Sequence, residues 1–455
     1  MSTDSTSDAS EWFPSAPIVL RPARTRQTRF VSSEPLRVLF VMHTAAPDGS
    51  SASLQHLIAH LPRAAVEPFV VSPGGPVADA LRRAGVTVLP IGGVSMLHSI
   101  EGMPLRGRRL LELGRTAGNL RYGPALRAAI DAVRPDVVHL NERGMLQAAR
   151  IARRAGVGVV MHARSVADPR PAWLMRLTRR IVARNVDRVI AIDASVRRSI
   201  GPISASDVIH NAIAEVPASV SRSESLEAAR NGAGGSGIRV VYLTGLIPAK
   251  GIWDLVAAAE RLRHRPDIRF LIAGANGRSR AFHRSGPGRL AHLTGLIPDV
   301  ESALRRRVTA GGLEGTVELL GHVADAATLL RTSDILVFPS HHDGPGRSVI
   351  EAAIEGVPSV VALRHRFEDV VVDGQTGLVV PARDPAALAE AIARLADDPE
   401  LRARLGAAAR THAATAFDPT AGARRVVDIY REVMLSRGTG SGHPPTPSSG
   451  SRSRP

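Results

Sequence analysis

Two short stretches carry side chains suited to handling a phosphorylated ligand. In Tyr242-Leu-Thr-Gly-Leu-Ile-Pro-Ala-Lys-Gly-Ile252, Lys250 and Gly251 stand where an apolar run gives way to a helical pattern. A lysine there neutralises phosphate as a point charge, and Lys250 is the single lysine among 58 basic residues. The spacing is not that of a P-loop, which needs a different glycine pattern and a Ser or Thr after the lysine. The second stretch, His341-His-Asp-Gly-Pro-Gly346, joins the apolar run Ile335–Phe338 to a helix around Ser348 that stops at Gly356 before Pro358. Gly344 and Gly346 let backbone approach a ligand, and the free N–H groups of a helix start suit a diphosphate. Asp343 sits in the loop and Glu351 about one turn into the helix, so the two carboxylates could hold sugar and ribose hydroxyls on either side of the phosphates. Blander roles exist for each: Ser348-Val-Ile-Glu351 is also a capping box, and Asp343 is a common turn residue. His341 and His342 lack a third metal ligand and read as a solvated loop.

Such groups are held by strand ends and helix starts. The run Arg37–Met42 is followed by Pro47-Asp-Gly49 and a helical pattern through Leu54, Leu57, Ile58 and Leu61. Similar runs recur at Phe69–Val71, Val86–Leu89, Val137–Leu140, Val157–Met161 and Val189–Ile192, and a second series follows at Val240–Leu243, Phe270–Ile272, Val317–Leu320, Ile335–Phe338, Val360–Val361 and Gly377–Val380. Apolar strands separated by helices predict parallel sheets with right-handed crossovers. The expected fold is α/β, with two doubly wound Rossmann-like domains, 35–214 and 238–416, facing a central cleft. Residues 215–237 read as a linker, 417–435 as a helix crossing back towards the first domain, and 1–34 and 436–455 as disordered tails. Ligands of such sheets bind at the carboxyl ends of the strands. The hexamer Leu243–Pro298 pair (Leu243-Thr-Gly-Leu-Ile-Pro248 and Leu293-Thr-Gly-Leu-Ile-Pro298) reads as coincidence, its second copy lying in an apparent insertion from Arg278 to Ser302.

Composition narrows the function. A chain of 455 residues exceeds the roughly 250–300 at which single cores stop growing. The absence of cysteine excludes disulfide frameworks, zinc ribbons and cysteine nucleophiles. No stretch approaches the ~18 apolar residues of a membrane span, and Asp4, Asp8 and Glu11 do not fit a signal peptide, so a cytoplasmic location is expected. The net charge of +16 is spread over scattered arginines, and aromatics are 3%, which leaves no stacking surface for nucleic acid. Trp173, Leu174, Met175 and Leu177 interleave with Arg176, Arg179, Arg180 and Arg184, a pattern of either a helix packed on the first sheet, the preferred reading, or a peripheral membrane contact.

Taken in order, these motifs resemble the retaining glycosyltransferases of family 4, over roughly residues 37 to 435. The second domain of that family commonly reads Gly-Arg-Leu-x-x-x-Lys-Gly, then an acid, seven residues and Glu-Ala-Met-Ala-x-Gly-x-Pro, then Gly-x-x-Gly and a helix led by Asp-Pro. This chain has Thr244-Gly245-Leu246-Ile-Pro-Ala-Lys250-Gly251, Asp343 with Glu351-Ala-Ala-Ile-Glu-Gly356-Val-Pro358, Asp373-Gly-Gln-Thr-Gly377, and Asp384-Pro385. The resemblance implies a GT-B fold and transfer of a sugar, with retention, from a UDP- or GDP-linked donor to a glycan, lipid-linked or small-molecule acceptor, without a resident cofactor. It implies that Lys250 contacts the diphosphate, Glu351 the ribose, Asp343 the transferred sugar, and the backbone around Gly346, Arg347 and Ser348 the phosphate oxygens. Gly49-Ser50 stands where the family has a Gly-Gly loop, and His162 matches a histidine near the reacting sugar.

Two positions depart from the pattern. Gly245 replaces a phosphate-binding arginine, and Asp343 replaces the usual glutamate. Arg347 or Arg164 is expected to supply the missing positive charge. No Asp-x-Asp motif calls for a metal. Other readings are a different GT-B enzyme, such as an epimerase, and a catalytically weakened nucleotide-sugar-binding protein.

Overall fold

The computed structural model describes residues 34–45, 49–92, 122–166, 172–201, 205–211, 237–275, 285–286, 299–341, 344, 346–365 and 368–439. Asp343, His342, the linker up to 236, the first 33 residues and the second hexamer lie outside them. Among the described residues the first sheet has seven strands, β1 (Leu36–Val41), β2 (Val66–Ser72), β3 (Thr87–Pro90), β4 (Val137–Leu140), β5 (Gly158–Ala163), β6 (Arg188–Ala191) and β7 (Ser206–Val208). Their spatial order is β3-β2-β1-β4-β5-β6-β7, and every pairing is parallel. The second sheet contains β8 (Ile238–Leu243), β9 (Ile268–Ala273), β10 (Val317–Gly321), β11 (Ile335–Phe338), β12 (Ser359–Leu363) and β13 (Gly377–Pro381), ordered β10-β9-β8-β11-β12-β13 and again parallel.

The central strands are buried along their length, as β4 and β11 show, because helices cover both faces of a parallel sheet. β7 was not expected. Its sequence, Ser-Asp-Val, has no apolar run, and backbone pairing with β6 at the sheet edge is what makes it a strand.

The two domains fasten their central strands with the same device. In the first, the Asp136 carboxylate, just before β4, accepts the Arg37 N–H of β1 at 2.9 Å. In the second, Asp334, just before β11, accepts the Arg239 N–H of β8, also at 2.9 Å. Each aspartate is buried, so each bond satisfies a group that would otherwise cost about 1–3 kcal/mol to hide. Both devices lie at the strand starts and leave the opposite ends for ligand.

After the second sheet the chain forms helices at Pro385–Asp397 and Pro399–Ala416 and then a long helix, Pro419–Thr439. The last helix joins the first domain's core, where Val426, Val427, Ile429, Tyr430 and Val433 pack with Val38, Phe40, Val137 and Val160. Arg425 pairs with Asp207, and Glu432 with Arg188. Half-exposed pairs of this kind give about 0–1 kcal/mol each, so the apolar face carries the docking. The helix also passes the expected boundary at 435: Arg437 bonds Asp187 at 3.0 Å and the Gly156 carbonyl at 2.9 Å.

Candidate functional site

The strand order reverses between β1 and β4 in the first sheet and between β8 and β11 in the second, and loops leaving such neighbours diverge to open a crevice. The site residues follow these strands. Gly49 and Ser50 come after β1, Arg164 and Val166 after β5, Asp193 after β6, and Gly344, Gly346 and Arg347 after β11. They surround a cavity of about 200 Å³ between the domains, with Asn211 and Ile350 completing its wall. Helices Gly49–His60 and Arg347–Ile354 both begin at this cavity. Two N-termini therefore bring backbone N–H groups and positive dipole ends to one space.

In the second domain the loops after β8 and β11 lock together. Gly251 has φ +75°, and a Cβ there would lie 2.5 Å from the Pro339 carbonyl carbon, so glycine is required for packing, a role the sequence reading had not given it. His341 continues the lock, its N–H donating to Ala249 and its Nε2 lying 2.8 Å from Asp254. Its ring is thus half-buried and partnered, not a solvated loop residue. The Lys250 ammonium lies 5.3 Å from the centre of the Phe338 ring, a cation–π distance. The same ring crowds Gly346, where a Cβ would come within 2.6 Å of its edge carbons. Lys250 and the helix start at Gly346 are therefore neighbours through Phe338.

The capping box is not formed. Gly346 occupies the N-cap, no side chain caps the helix, and Ser348 is buried inside its first turn. Glu351 instead accepts from Arg347 Nε at 2.7 Å, and Arg347 Nη2 lies 3.4 Å from His56 Nε2 of the first domain. Burial, then the Arg347 charge, holds His56 below its usual range. Gly245 has an ordinary φ, and its nearest neighbour to a built Cβ is Ile247 at 3.7 Å. Neither strain nor crowding excludes a side chain there.

The first domain's wall is built around Arg164. Its guanidinium donates to Asn141 Oδ1 at 2.7 Å, to Asn211 Oδ1 and to His162 Nδ1 at 3.3 Å. Asn141 in turn donates to the Ser50 carbonyl at 3.1 Å, tying the arginine to the start of the first helix. His162 is 2% exposed and does not line the cavity; it lies beneath Arg164. Burial, the Arg164 charge and His139 push its pKa well down. Since arginine only donates, the neutral ring carries its proton on Nε2, and that atom is buried without a partner among the described residues. The His139 ring lies tilted against that of His162, with centroids 5.4 Å apart, and shares a 2.7 Å hydrogen bond with Tyr430 of the last helix.

Among the described residues three contacts join the domains across the cavity. Ala194 N–H donates to Asp369 at 2.6 Å. Gly344 faces Val166 and Ser195 so closely that a Cβ would stand 3.3–3.4 Å from them. The third is the Arg347–His56 approach already described. Asp193 caps the Ala194–Ile200 helix through Val196 N–H at 2.7 Å, and burial raises its pKa, with Asp369 adding to the rise. Sequence reasoning did not single out Asn141, Asn211 or Asp193. Asp193-Ala-Ser-Val196 does carry a helix-start signal, whereas the two asparagines become visible only when strand ends β4 and β7 are brought together.

A family model described as Glycosyl transferase 4-like domain matches residues 48–210, and one described as Glycosyl transferases group 1 matches residues 226–412. The chain is 29% identical to an alpha-D-kanosaminyltransferase of Streptomyces kanamyceticus over 199 residues, 43% of this chain and 46% of that protein. It is 30% identical to a D-inositol 3-phosphate glycosyltransferase of Corynebacterium glutamicum over 202 residues, 43% and 44% of the two chains. The matched part thus spans less than half the length of these curated relatives. Anabaena HepE in complex with UDP-glucose superposes with a TM-score of 0.69 at 18% identity, over 87% of this chain and all of that one. Sucrose-phosphate synthase from Thermosynechococcus elongatus gives 0.64 at 19% identity, over 88% of this chain and all of that one. Residues 48–210 thus match a glycosyl transferase 4-like domain and residues 226–412 a glycosyl transferases group 1 domain, and the two parallel sheets together have the GT-B fold.

Proposed function

We propose that the protein transfers a hexosyl or N-acetylhexosaminyl group from a UDP- or GDP-linked donor to a glycan, lipid-linked or small-molecule acceptor, with retention and without a metal ion or cofactor. The observation that carries this reading is the convergence on one cleft of two helix N-termini, at Gly49 and Gly346, with the cations Arg164, Arg347 and Lys250 close by. In the transfer, the bond from the sugar's anomeric carbon to the diphosphate oxygen breaks and its electron pair stays on that oxygen. The acceptor oxygen bonds the anomeric carbon, and its proton passes to the departing diphosphate, the base on the same face when configuration is retained. Negative charge grows on the leaving group, so fixed donors aimed at it lower the barrier. Lys250 and the N–H groups at Gly346 and Ser348 serve that end. Glu351 exchanges Arg347 for the ribose hydroxyls, which frees Arg347 for phosphate. Asp343 holds the transferred sugar, Gly49 and Ser50 stand on the opposite wall, and His162 positions Arg164.

The bare Gly245 favours a second reading, nucleotide-sugar binding with little turnover. Thermal-shift screening of UDP- and GDP-sugars tests both. A donor at about 100 times its Kd adds about 2.7 kcal/mol of stability, and Lys250→Ala should abolish the shift. Absence of any shift in the wild type overturns both readings, and a shift without sugar transfer across broad acceptors selects the second. Unchanged UDP and GDP affinity in Arg164→Ala and Arg347→Ala removes both arginines as the substitute cation.

A further inference from the structure

In the chain, the Ala172–Asn185 helix comes soon after the cleft wall: Trp173 stands seven residues after Val166, which lines the cavity. Packing on the first sheet was the expected role of its apolar residues, yet Val182 is the one residue it buries. Trp173, Leu177, Arg180 and Arg184 recur at i, i+4, i+7 and i+11 and so form one stripe. That stripe faces solvent, with Trp173 60% and Leu177 44% exposed, and Arg176 is exposed beside it. Among the described residues no carboxylate pairs with Arg176, Arg180 or Arg184, although arginines elsewhere are paired, as Arg188 with Glu432 and Arg265 with Asp397.

An acidic protein surface would have to match those charges and also cover an indole and a leucine. A lipid surface does both at once: the indole and leucine enter the headgroup boundary, the arginine stems lie along it, and the guanidinium groups meet lipid phosphates. We propose that this helix docks the protein on an anionic bilayer surface, with the cleft beside the membrane. Among the described residues no helix is long and apolar enough to cross one, so the contact is peripheral. The proposal is independent of the donor site.

The test is co-sedimentation of the full chain, at low salt, with vesicles of phosphatidylcholine alone and of phosphatidylcholine mixed with phosphatidylglycerol. Two variants accompany it, Trp173→Ala/Leu177→Ala and Arg176→Glu/Arg180→Glu/Arg184→Glu. The wild type should bind the anionic vesicles about ten-fold or more tightly than the neutral ones, and each variant should lose about ten-fold or more with its Tm unchanged. Its tryptophan emission should shift to the blue on binding, and the shift should shrink in Trp173→Ala/Leu177→Ala. Equal binding to neutral and anionic vesicles overturns the proposal, as does wild-type vesicle binding by the charge-reversed variant, which would place the contact on other arginines. If the wild type also binds polyglutamate or RNA, and the charge-reversed variant loses that binding while keeping its vesicle binding, the stripe serves another acidic partner and the proposal is overturned.

Discussion

Replacing Gly251 by alanine separates two roles that meet at one residue. A residue that merely lent backbone to a donor phosphate would lose ligand affinity on mutation and keep its stability. The geometry demands more. At φ +75° an L side chain costs about 1–2 kcal/mol, and the added methyl would lie 2.5 Å from the Pro339 carbonyl carbon and 3.1 Å from Pro339 Cβ. Relieving that overlap parts the loops after β8 and β11, at the roughly 1–3 kcal/mol typical of overpacking. The sum, about 2–5 kcal/mol, lowers the Tm of the second domain by roughly 4–20 °C. Differential scanning calorimetry of Gly251→Ala and wild type measures it, and Gly245→Ala, with 3.7 Å of clearance, is the control and should melt as wild type. Because the same parting moves Lys250 away from Phe338, Gly251→Ala should also lose the thermal shift with nucleotide. A Gly251→Ala protein with wild-type Tm would refute the packing argument.

Gly245→Arg should tighten UDP binding about ten-fold, since one charge-assisted hydrogen bond is worth roughly 1.5–3 kcal/mol and the position is uncrowded; titration calorimetry showing equal or weaker affinity counts against it. Tyr430→Phe strips His139 Nδ1 of its 2.7 Å partner and should cost about 1–3 kcal/mol in urea unfolding, where an unchanged midpoint would mean that the bond contributes nothing. Acid should destabilise the first domain through its two buried imidazoles. His139 is pushed down to about 3, chiefly by burial and then by Arg164, and His162 also lies well below 6.5. Both rings titrate near 6.5 once unfolded, so above that pH neither opposes folding. Below it the unfolded chain takes up protons that the folded one refuses, and stability falls by up to about 1.4 kcal/mol per pH unit for each ring. His162→Asn should therefore show a smaller Tm loss than wild type between pH 7.5 and 5.0, and equal losses would sink the argument.

The sheets were legible because parallel strands buried on both faces write themselves as short apolar runs. Val137–Leu140 and Ile335–Phe338 fall on the strand limits, and the others are off by a residue or a few. β7 was illegible for the converse reason: Ser206-Asp207-Val208 is held by hydrogen bonds to β6 and has no apolar signature. At the site, distinctive local chemistry marked single positions, Lys250 and the glycines before Arg347, and the fold sets Lys250 and Gly346 against the same Phe338 ring. Relations between side chains were not so marked. The pairing of Glu351 with Arg347, the descent of His162 beneath Arg164 and the fork between Asn141 and Asn211 arise from tertiary placement. The Ala172–Asn185 helix shows the same limit, since its pattern fitted a buried or an exposed stripe and burial decided between them.

The long final helix has a consequence for how the chain is made. Val426, Val427, Ile429, Tyr430 and Val433 belong to the same cluster as the first strand's Val38 and Phe40, so that core stays open until nearly four hundred residues more have been synthesised. The second domain draws its core from its own segment, 238 to 417. Domain maturation would then run against the order of translation, with the later-made domain complete first, and the uncovered face of the earlier one would be the surface a nascent-chain chaperone meets.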